Sequence, residues 1–244
     1  MRTPSPIGLG ETLALGSIEG FLDHTETHEL TTVMEQHLTG IDRAETEHRR
    51  ATSIHEIPGR TPRETMSIYE PAGRLEIADI PTAAEKILQI AFDRARPTIA
   101  RLLPSVTSCR PWTYVEYGPG QHITPHLDGI APDPRRWPRQ IAGIGVSITN
   151  DYAGGEFFVE TTSDDRLWNC ALPSDIPGYA PTMAFAHDGA DNSSPWFTSM
   201  ARTRWTTSTT TCGTALLYGS QLTHGTRPVT RGRARKFISW LFTD

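Results

Sequence analysis

The sequence contains little of what marks a disulfide-bonded or zinc-ribbon protein. Its 244 residues include three cysteines, Cys109, Cys170 and Cys212, which lie far apart and form no Cys-x-x-Cys pair. Scattered thiols in odd number are typical of structural cysteines in a reducing compartment. The pattern therefore argues against a disulfide framework and predicts three structural thiols in a cytoplasmic protein.

Long apolar runs and an excess of basic residues are also missing. No segment approaches the roughly 18 apolar residues of a membrane span, and MRTPSPIGLGETLALGS lacks the apolar run of a secretory signal. The formal net charge is −5, whereas proteins that bind nucleic acids or anionic membranes normally show a basic face. We therefore expect neither nucleic acid nor membrane as a partner, while the oligomeric state stays open.

The composition that is present suits a globular protein, with 37% hydrophobic and 21% charged residues. A chain of this length fits one large domain with a sizeable core. We predict one domain over residues 1–244, with a helical flank at 1–110 and a β-rich core at 111–242. An insertion of about 161–212 interrupts this core.

Two segments of the flank are predicted to be helical. DHTETHELTTVMEQHL has apolar residues at helical spacing, and Asp23 or Thr25 is a candidate cap. In PTAAEKILQIAFDRARPTIARLL the apolar residues share one face, and Pro97 is expected to kink or break the helix. Residues 39–80 are polar, with strand-like fragments such as Met66 to Tyr69.

From about residue 112 the pattern changes to short strands. TYVEY, IAGIGVSI, GEFFVE, TALLYG and KFISWLF are rich in β-branched and aromatic residues and are separated by glycine and proline. Gly154-Gly155 is a candidate turn. This spacing predicts antiparallel sheets in a sandwich or barrel. The aromatic residues of the insertion form either a satellite core or a wall for a substrate: Trp168, Phe185, Trp196, Phe197 and Trp205.

The stretch PGQHITPHLDG holds candidate metal ligands. Residues two apart on a strand share a face, so His126 and Asp128 point the same way. A third ligand comes from His187, in the insertion, or His224, which follows TALLYG; His224 is favoured. Two histidines and one carboxylate form the facial triad that leaves open positions on Fe(II), whereas a closed zinc site needs a fourth ligand. His122 is interpreted as scaffolding.

Three segments together resemble a known family. HITPHLDG, YAGGEFFVE and GTALLYGSQLTHGTRPVTRGR are similar to the core signature of the Fe(II)/2-oxoglutarate-dependent dioxygenases, in the prolyl-hydroxylase-like branch. The resemblance covers roughly residues 112–160 and 212–242, and weakly GFLDHTETHELTTVM. It implies a mainly β protein, a double-stranded β-helix (jelly roll, cupin-like) with N-terminal helices. It also implies Fe(II), 2-oxoglutarate as cosubstrate, and O2.

The resemblance also implies roles for particular residues. The far carboxylate of 2-oxoglutarate is held in the family by a basic residue nine or ten positions beyond the distal histidine. Nine beyond His224 is Arg233 and ten beyond is Ala234, so Arg233 is the expected anchor, with Arg235 as the alternative. Tyr117 matches a tyrosine that bonds the cosubstrate, and Ser147 matches a hydroxyl that assists the far carboxylate.

The same resemblance suggests a reaction. Related halogenases have a small residue where this sequence has Asp128, so hydroxylation of an unactivated C–H is expected, with release of succinate and CO2. Desaturation or ring formation would use the same residues. The expected substrate is a small molecule, an amino acid or a natural-product intermediate in biosynthesis. The loop APDPRRWPRQ offers Arg135, Arg136 and Trp137 as substrate contacts, or is an ordinary exposed loop.

Two other functions remain open at this point. One is a protein hydroxylase acting on a prolyl or other side chain, which an open groove beside the iron would favour. The other is a cupin-like metal-binding sensor that does not turn over 2-oxoglutarate. The sensor gains support if neither Arg233 nor Arg235 points into the barrel.

Overall fold

The computed structural model describes residues 5–43, 46, 57, 59–131, 133–169, 176–207 and 211–244. Cys170 lies outside these ranges. In chain order the strands are β1 (Leu15–Ile18), β2 (Leu75–Ile77), β3 (Ser108–Cys109), β4 (Thr113–Tyr117), β5 (Ile123–His126), β6 (Arg139–Ser147), β7 (Ala153–Gly154), β8 (Phe157–Thr161), β9 (Trp168–Asn169), β10 (Phe185–Ala186), β11 (Thr203–Thr206), β12 (Ala215–Gly219), β13 (Thr223–Thr226), β14 (Val229–Arg231) and β15 (Ala234–Thr243).

Two antiparallel sheets form the centre of the molecule. The larger has the order β1-β12-β6-β15-β4-β2, with β3 also paired to β15, and the smaller has the order β11-β8-β13-β5. Two short pairs, β9 with β10 and β7 with β14, lie outside them. Gly154 and Gly155 both have positive φ, in the segment that leads from β7 into β8, where the sequence predicted a turn. The arrangement confirms the predicted mainly β, jelly-roll class with flanking helices.

Side chains of the larger sheet alternate between two environments, as period-2 strands require. On one face, residues of the central strands join the hydrophobic core with the long helix Thr82–Leu102; among them are Ile144, Val146, Leu217 and Phe237. On the other face, residues of the same strands line a cavity: Val115, Tyr117, Gly145, Ser147, Leu216, Tyr218, Lys236 and Ile238. Alternate residues of one strand therefore contribute to the hydrophobic core or to the cavity wall.

The helices are Leu9–Thr12, His24–His37, Pro62–Tyr69, Thr82–Leu102 and Pro195–Thr198, with a 3-10 turn at Asp165–Leu167. Asp23 caps His24–His37 by accepting from the Glu26 N–H, as predicted. The predicted break at Pro97 is wrong, because Thr82–Leu102 continues through it. Burial of Leu88, Phe92 and Ile99 against the sheet offsets the hydrogen bond that Pro97 lacks.

The strand-like interpretation of Met66 to Tyr69 is also wrong. This segment is the second half of the helix Pro62–Tyr69, and Thr61 starts it with a capping box to Glu64. The helix buries Met66 and Tyr69. It contacts β5, so Tyr69 is carried next to the region that holds His126.

The insertion has its own small core. Leu167, Ala190, Phe197 and Met200 are buried together, with Trp168 and Trp196 packed against them. β11 pairs with β8 and completes the smaller sheet, while Trp205 on β11 is 60% exposed. None of the five aromatic residues of the insertion lines the described cavity. Those that are buried therefore fit the interpretation as a satellite core better than that as a wall for a substrate.

Two further observations bear on the composition. Burial raises the pKa of Cys109 to about 12 and also raises the pKa of Cys212, which fits structural thiols. Among the described residues, no helix is both long and apolar enough to cross a bilayer.

Candidate metal centre and cosubstrate cavity

The two candidate histidines face each other across a pair of strands. His126 ends β5, and its Cα is the register partner of His224 on β13. Each ring bonds a carbonyl two residues earlier through Nδ1, His126 to Thr124 and His224 to Leu222, both at 2.8 Å. These bonds place the N–H on Nδ1 and leave both Nε2 atoms as lone-pair donors.

Asp128 supplies the third donor from just beyond the end of β5. Its Oδ1 lies 3.6 Å from His126 Nε2 and 3.9 Å from His224 Nε2. Its other oxygen, Oδ2, accepts a hydrogen bond from Gln140 Nε2 at 3.1 Å. Gln140 therefore fixes the carboxylate so that Oδ1 is directed toward the histidines.

The electrostatics of the site suit a cation. Burial, followed by the neighbouring His126, lowers the pKa of His224 to about 4. The imidazole is therefore neutral at physiological pH, which is the form that binds metal. The carboxylate of Asp128 adds the negative charge that a divalent ion requires.

The donor set fits iron by its chemistry. One ligand atom from each of His126, Asp128 and His224 lies within 4.8 Å of the others. Among the residues that the structure describes, this is the cluster of three His, Cys, Asp or Glu side chains with metal-binding spacing, and no fourth protein ligand joins it. Two imidazoles and one carboxylate with open positions are the pattern of non-heme Fe(II). His187 lies elsewhere, against Trp196.

A cavity of about 650 Å³, measured to its open mouth, extends from the metal site between the two sheets. His126, Asp128 and His224 line one end. Beside them stand Phe157 and Tyr218, whose rings lie 5.6 and 4.6 Å from that of His224. Ile123, Leu216 and Ile238 make the middle apolar, so few polar groups compete for the part of a ligand that lies there.

The other end of the cavity is cationic. Lys236 lies on β15 and is the register partner of Ser147 on β6, and its ammonium is 5.9 Å from the centre of the Tyr117 ring. Arg74 lies immediately before β2, which pairs with β4, and donates to the Tyr117 hydroxyl. Burial and the nearby Arg74 lower the pKa of Lys236 to about 8. Tyr117 and Ser147 both line this cavity, while their roles toward a cosubstrate stay predictions.

The expected anchors, Arg233 and Arg235, lie outside the cavity. Arg233 donates to Glu116 Oε1 at 2.8 Å, and Arg235 pairs with Glu116 and Glu35. Glu116 is fully buried on the helix side of β4, so its carboxylate draws both guanidinium groups to that side. Strand alternation then places Lys236, twelve positions beyond His224, on the cavity side.

Lys236 and Arg74 are therefore the cationic residues that sequence reasoning missed. A usable signal for Lys236 was the alternation in ARKFISWLF, since Lys236, Ile238 and Trp240 share the face opposite Arg235. Arg74 carried no comparable signal, because it precedes the three-residue strand β2 in a polar region far from the motifs.

The proposed substrate-contacting loop does not reach the cavity. The side chains of Arg135 and Arg136 are 57% and 84% exposed, and both pair with Asp133. Trp137 stacks on Arg139, with 4.1 Å between the guanidinium carbon and the ring centre. The insertion comes closer to the metal site, because Asp191 forms a β-bridge with His126 and accepts from the Tyr69 hydroxyl at 2.7 Å.

Comparison with known proteins identifies the architecture. No protein-family model matches the sequence, and no curated protein matches it. In structure it is similar to a collagen prolyl hydroxylase of Paramecium Bursaria Chlorella virus-1, at TM-score 0.52 and 13% identity over 97% of this chain and 100% of that one. A prolyl-4-hydroxylase from Pseudomonas putida matches at TM-score 0.53 and 13% identity, over 96% and 94%.

A third match is SnoN, a non-heme alpha ketoglutarate dependent epimerase from nogalamycin biosynthesis, at TM-score 0.56 and 12% identity over 96% of this chain and 80% of that one. Identities this low establish a shared fold. The chain has the fold of the 2-oxoglutarate- and Fe(II)-dependent oxygenases of the prolyl-hydroxylase type.

Proposed function

We propose that the protein is an Fe(II)- and 2-oxoglutarate-dependent dioxygenase that hydroxylates an unactivated C–H of a small molecule. The observation that carries this proposal is one cavity with a His-Asp-His cluster at one end and a half-buried lysine at the other. When bound, iron would supply the oxidative chemistry by which 2-oxoglutarate and O2 yield succinate, CO2 and a hydroxylated product.

The residues at the two ends of the cavity would bind different groups. His126, Asp128 and His224 would hold the metal through Nε2, Oδ1 and Nε2. At the far end, Lys236 offers an ammonium and Tyr117 a hydroxyl, with Ser147 opposite Lys236 across the strand pair. A carboxylate placed there meets donors rather than acceptors, which suits the far carboxylate of a dicarboxylic 2-oxo acid.

The cavity wall between the two ends suits the carbon chain of the same 2-oxo acid. Ile123, Leu216 and Ile238 are apolar and match a methylene chain. Phe157 and Tyr218 stand beside His224 and place aromatic rings on the metal side of the cavity. The sensor alternative was expected to gain support if neither Arg233 nor Arg235 pointed into the barrel, and neither lines the cavity. Lys236 and Arg74 line it instead, and these cations favour the oxygenase over the sensor.

The surroundings of the metal site support a small substrate, such as an amino acid or a natural-product intermediate. Asp191 of the insertion forms a β-bridge with His126, and Tyr69 packs edge-on against the same ring at 5.3 Å. The insertion and the helix Pro62–Tyr69 therefore narrow the approach to the metal. An open groove suited to a polypeptide substrate would need this side of His126 to be clear.

The test is formation of succinate by the Fe(II)-loaded protein with 2-oxoglutarate and O2. The panel contains free amino acids, their N-acyl and carrier-bound forms, and short prolyl peptides. We expect a rise in succinate with one small-molecule class and none in His224→Ala. A rise with peptides alone would replace the small-molecule proposal by a protein hydroxylase, and binding of 2-oxoglutarate without any succinate would support the sensor.

A further inference from the structure

Arg74 is held in one position by contacts on both sides of its guanidinium group. Its side chain is 2% exposed, with Nη2 2.7 Å from Glu76 and 3.1 Å from Glu70. Nη1 donates to the hydroxyl of Tyr117. The two carboxylates balance and orient the guanidinium, so this arginine presents a fixed donor to Tyr117.

The bond determines where the Tyr117 proton points. A guanidinium has donors and no acceptor, so the Tyr117 oxygen must be the acceptor of this bond. Burial raises the pKa of Tyr117, so the phenol keeps its own proton. With Arg74 on one side of the oxygen, that proton is directed away from Arg74, and Tyr117 lines the cavity beside Lys236.

Lys236 cannot capture this proton. Its ammonium, charged below a pKa of about 8, has donors only, as Arg74 does. The two cations at this end of the cavity thus offer only donors, and a ligand that enters here can supply an acceptor for the Tyr117 O–H. A carboxylate oxygen is such an acceptor and also matches the charge of Lys236.

We propose that Arg74 is a positioning residue for the cosubstrate: by holding the oxygen of Tyr117, it makes Tyr117 a dedicated donor to the far carboxylate of 2-oxoglutarate. The inference rests on the proposed function and adds a residue, 43 positions before Tyr117 in the chain, to the machinery that selects a dicarboxylic 2-oxo acid. Arg74 also lines the cavity, but its guanidinium is already held by Glu70, Glu76 and the Tyr117 oxygen, so we assign its effect to Tyr117 rather than to a contact of its own with the ligand.

The test is a double-mutant cycle on ligand binding, without turnover. The Fe(II)-loaded protein is titrated under anaerobic conditions with 2-oxoglutarate, and separately with 2-oxobutyrate, which lacks the far carboxylate. The charge-transfer band of the 2-oxo acid reports binding. The variants are Tyr117→Phe, Arg74→Met, Arg74→Lys and the double variant Tyr117→Phe/Arg74→Met. Arg74→Lys is the rescue variant, because an ammonium still has donors for the Tyr117 oxygen. Arg74→Gln is the neutral, polar alternative should Arg74→Met fail to fold.

We expect Tyr117→Phe and Arg74→Met each to weaken 2-oxoglutarate binding about tenfold or more, since the hydrogen bond from Tyr117 to the far carboxylate is lost or no longer directed. Arg74→Lys should bind more tightly than Arg74→Met. The double variant should bind no more weakly than Tyr117→Phe alone. Binding of 2-oxobutyrate should stay within about twofold of the wild type in all of them. Arg139→Lys, at another fully buried arginine that lies outside the cavity, should change neither affinity.

Three results would overturn the inference. They are multiplicative losses in the double variant, wild-type affinity in Arg74→Met, and equal losses for both 2-oxo acids, which would indicate a merely structural role. The failure of the proposed function is distinguishable, because the wild-type protein would then show no band with either 2-oxo acid.

Discussion

Lys236 is the residue whose replacement probes the cavity most sharply. In Lys236→Met the apolar stem is largely kept and the ammonium is removed, so the far carboxylate of 2-oxoglutarate would be buried without its counter-ion. Truncating one partner of a buried, hydrogen-bonded charge pair costs about 2–4 kcal/mol, which is roughly 30-fold to 1,000-fold in Kd. We expect a loss in this range for 2-oxoglutarate, with Fe(II) binding unchanged.

The matched control is Arg233→Gln, which removes one positive charge on the other side of the same sheet. Arg233 pairs with Glu116 and does not line the cavity, so its replacement should leave the affinity for 2-oxoglutarate within about twofold. Calorimetric titration of 2-oxoglutarate into the anaerobic Fe(II)-loaded variants measures both. A large loss in Arg233→Gln together with none in Lys236→Met would refute the assignment and restore the arginine as anchor.

The same lysine predicts a pH dependence. Burial and Arg74 lower its pKa from the ordinary 10.5 to about 8 in the folded chain. Below about pH 8 both folded and unfolded chains carry the ammonium, and the cost of burying it is fully present. Between 8 and 10.5 the folded chain releases the proton first, so the ligand-free protein gains stability.

Binding of 2-oxoglutarate needs the charged form, so the affinity should fall through the same window, by up to about tenfold per pH unit. Lys236→Arg keeps its charge throughout and should remove this dependence. Titrations of 2-oxoglutarate from pH 7 to 10 check the wild-type protein and Lys236→Arg. If the affinity of the wild-type protein did not change with pH, Lys236 would not contact the cosubstrate.

Three other changes have definite expectations. Gln140→Leu removes the hydrogen bond to Asp128 Oδ2 and should weaken Fe(II) binding by about tenfold or more, measured by competition with a chelator. Leu88→Ala opens the core between the helix Thr82–Leu102 and the sheet and should cost about 2–5 kcal/mol of unfolding free energy in a denaturant titration. Arg136→Ala, at a side chain 84% exposed, should leave stability within about 0.5 kcal/mol and leave kcat/KM unchanged in the succinate assay; a raised KM would show that the substrate reaches this loop.

The residues of the metal cluster were predictable because two of them are close together in the sequence and the third follows a recognisable strand. His126 and Asp128 are two apart, and His224 follows an apolar strand that could be read directly. The reasoning from strand alternation was only partly right, since Asp128 lies beyond the end of β5. The turn after the strand still brings its carboxylate to the two imidazoles.

The proposed cosubstrate anchor, Lys236, was not predictable from counting positions alone. A turn at Gly232 precedes β15, and the register of that strand with β4 decides which of Arg233, Arg235 and Lys236 faces the cavity. That register depends on the buried Glu116, on a strand more than a hundred residues earlier. Long-range pairing of this kind leaves no local mark in the sequence.

Helix limits show the same contrast between local and tertiary causes. Asp23 was identified because a cap and its helix are adjacent. The helix Pro62–Tyr69 was missed, although Thr61, Pro62 and Glu64 form a readable start signal. The effect of Pro97 was misjudged because packing against the sheet, which propensity does not include, keeps the helix continuous.

The central claim is that His126, Asp128 and His224 hold Fe(II) at one end of a cavity that takes 2-oxoglutarate. Anaerobic addition of Fe(II) and then 2-oxoglutarate tests it most directly, because direct chelation of the metal by the 2-oxo acid gives a weak visible charge-transfer band. We predict that the band forms with the wild-type protein and disappears in His126→Ala. No band with the intact protein, or an equal band in His126→Ala, would contradict the claim.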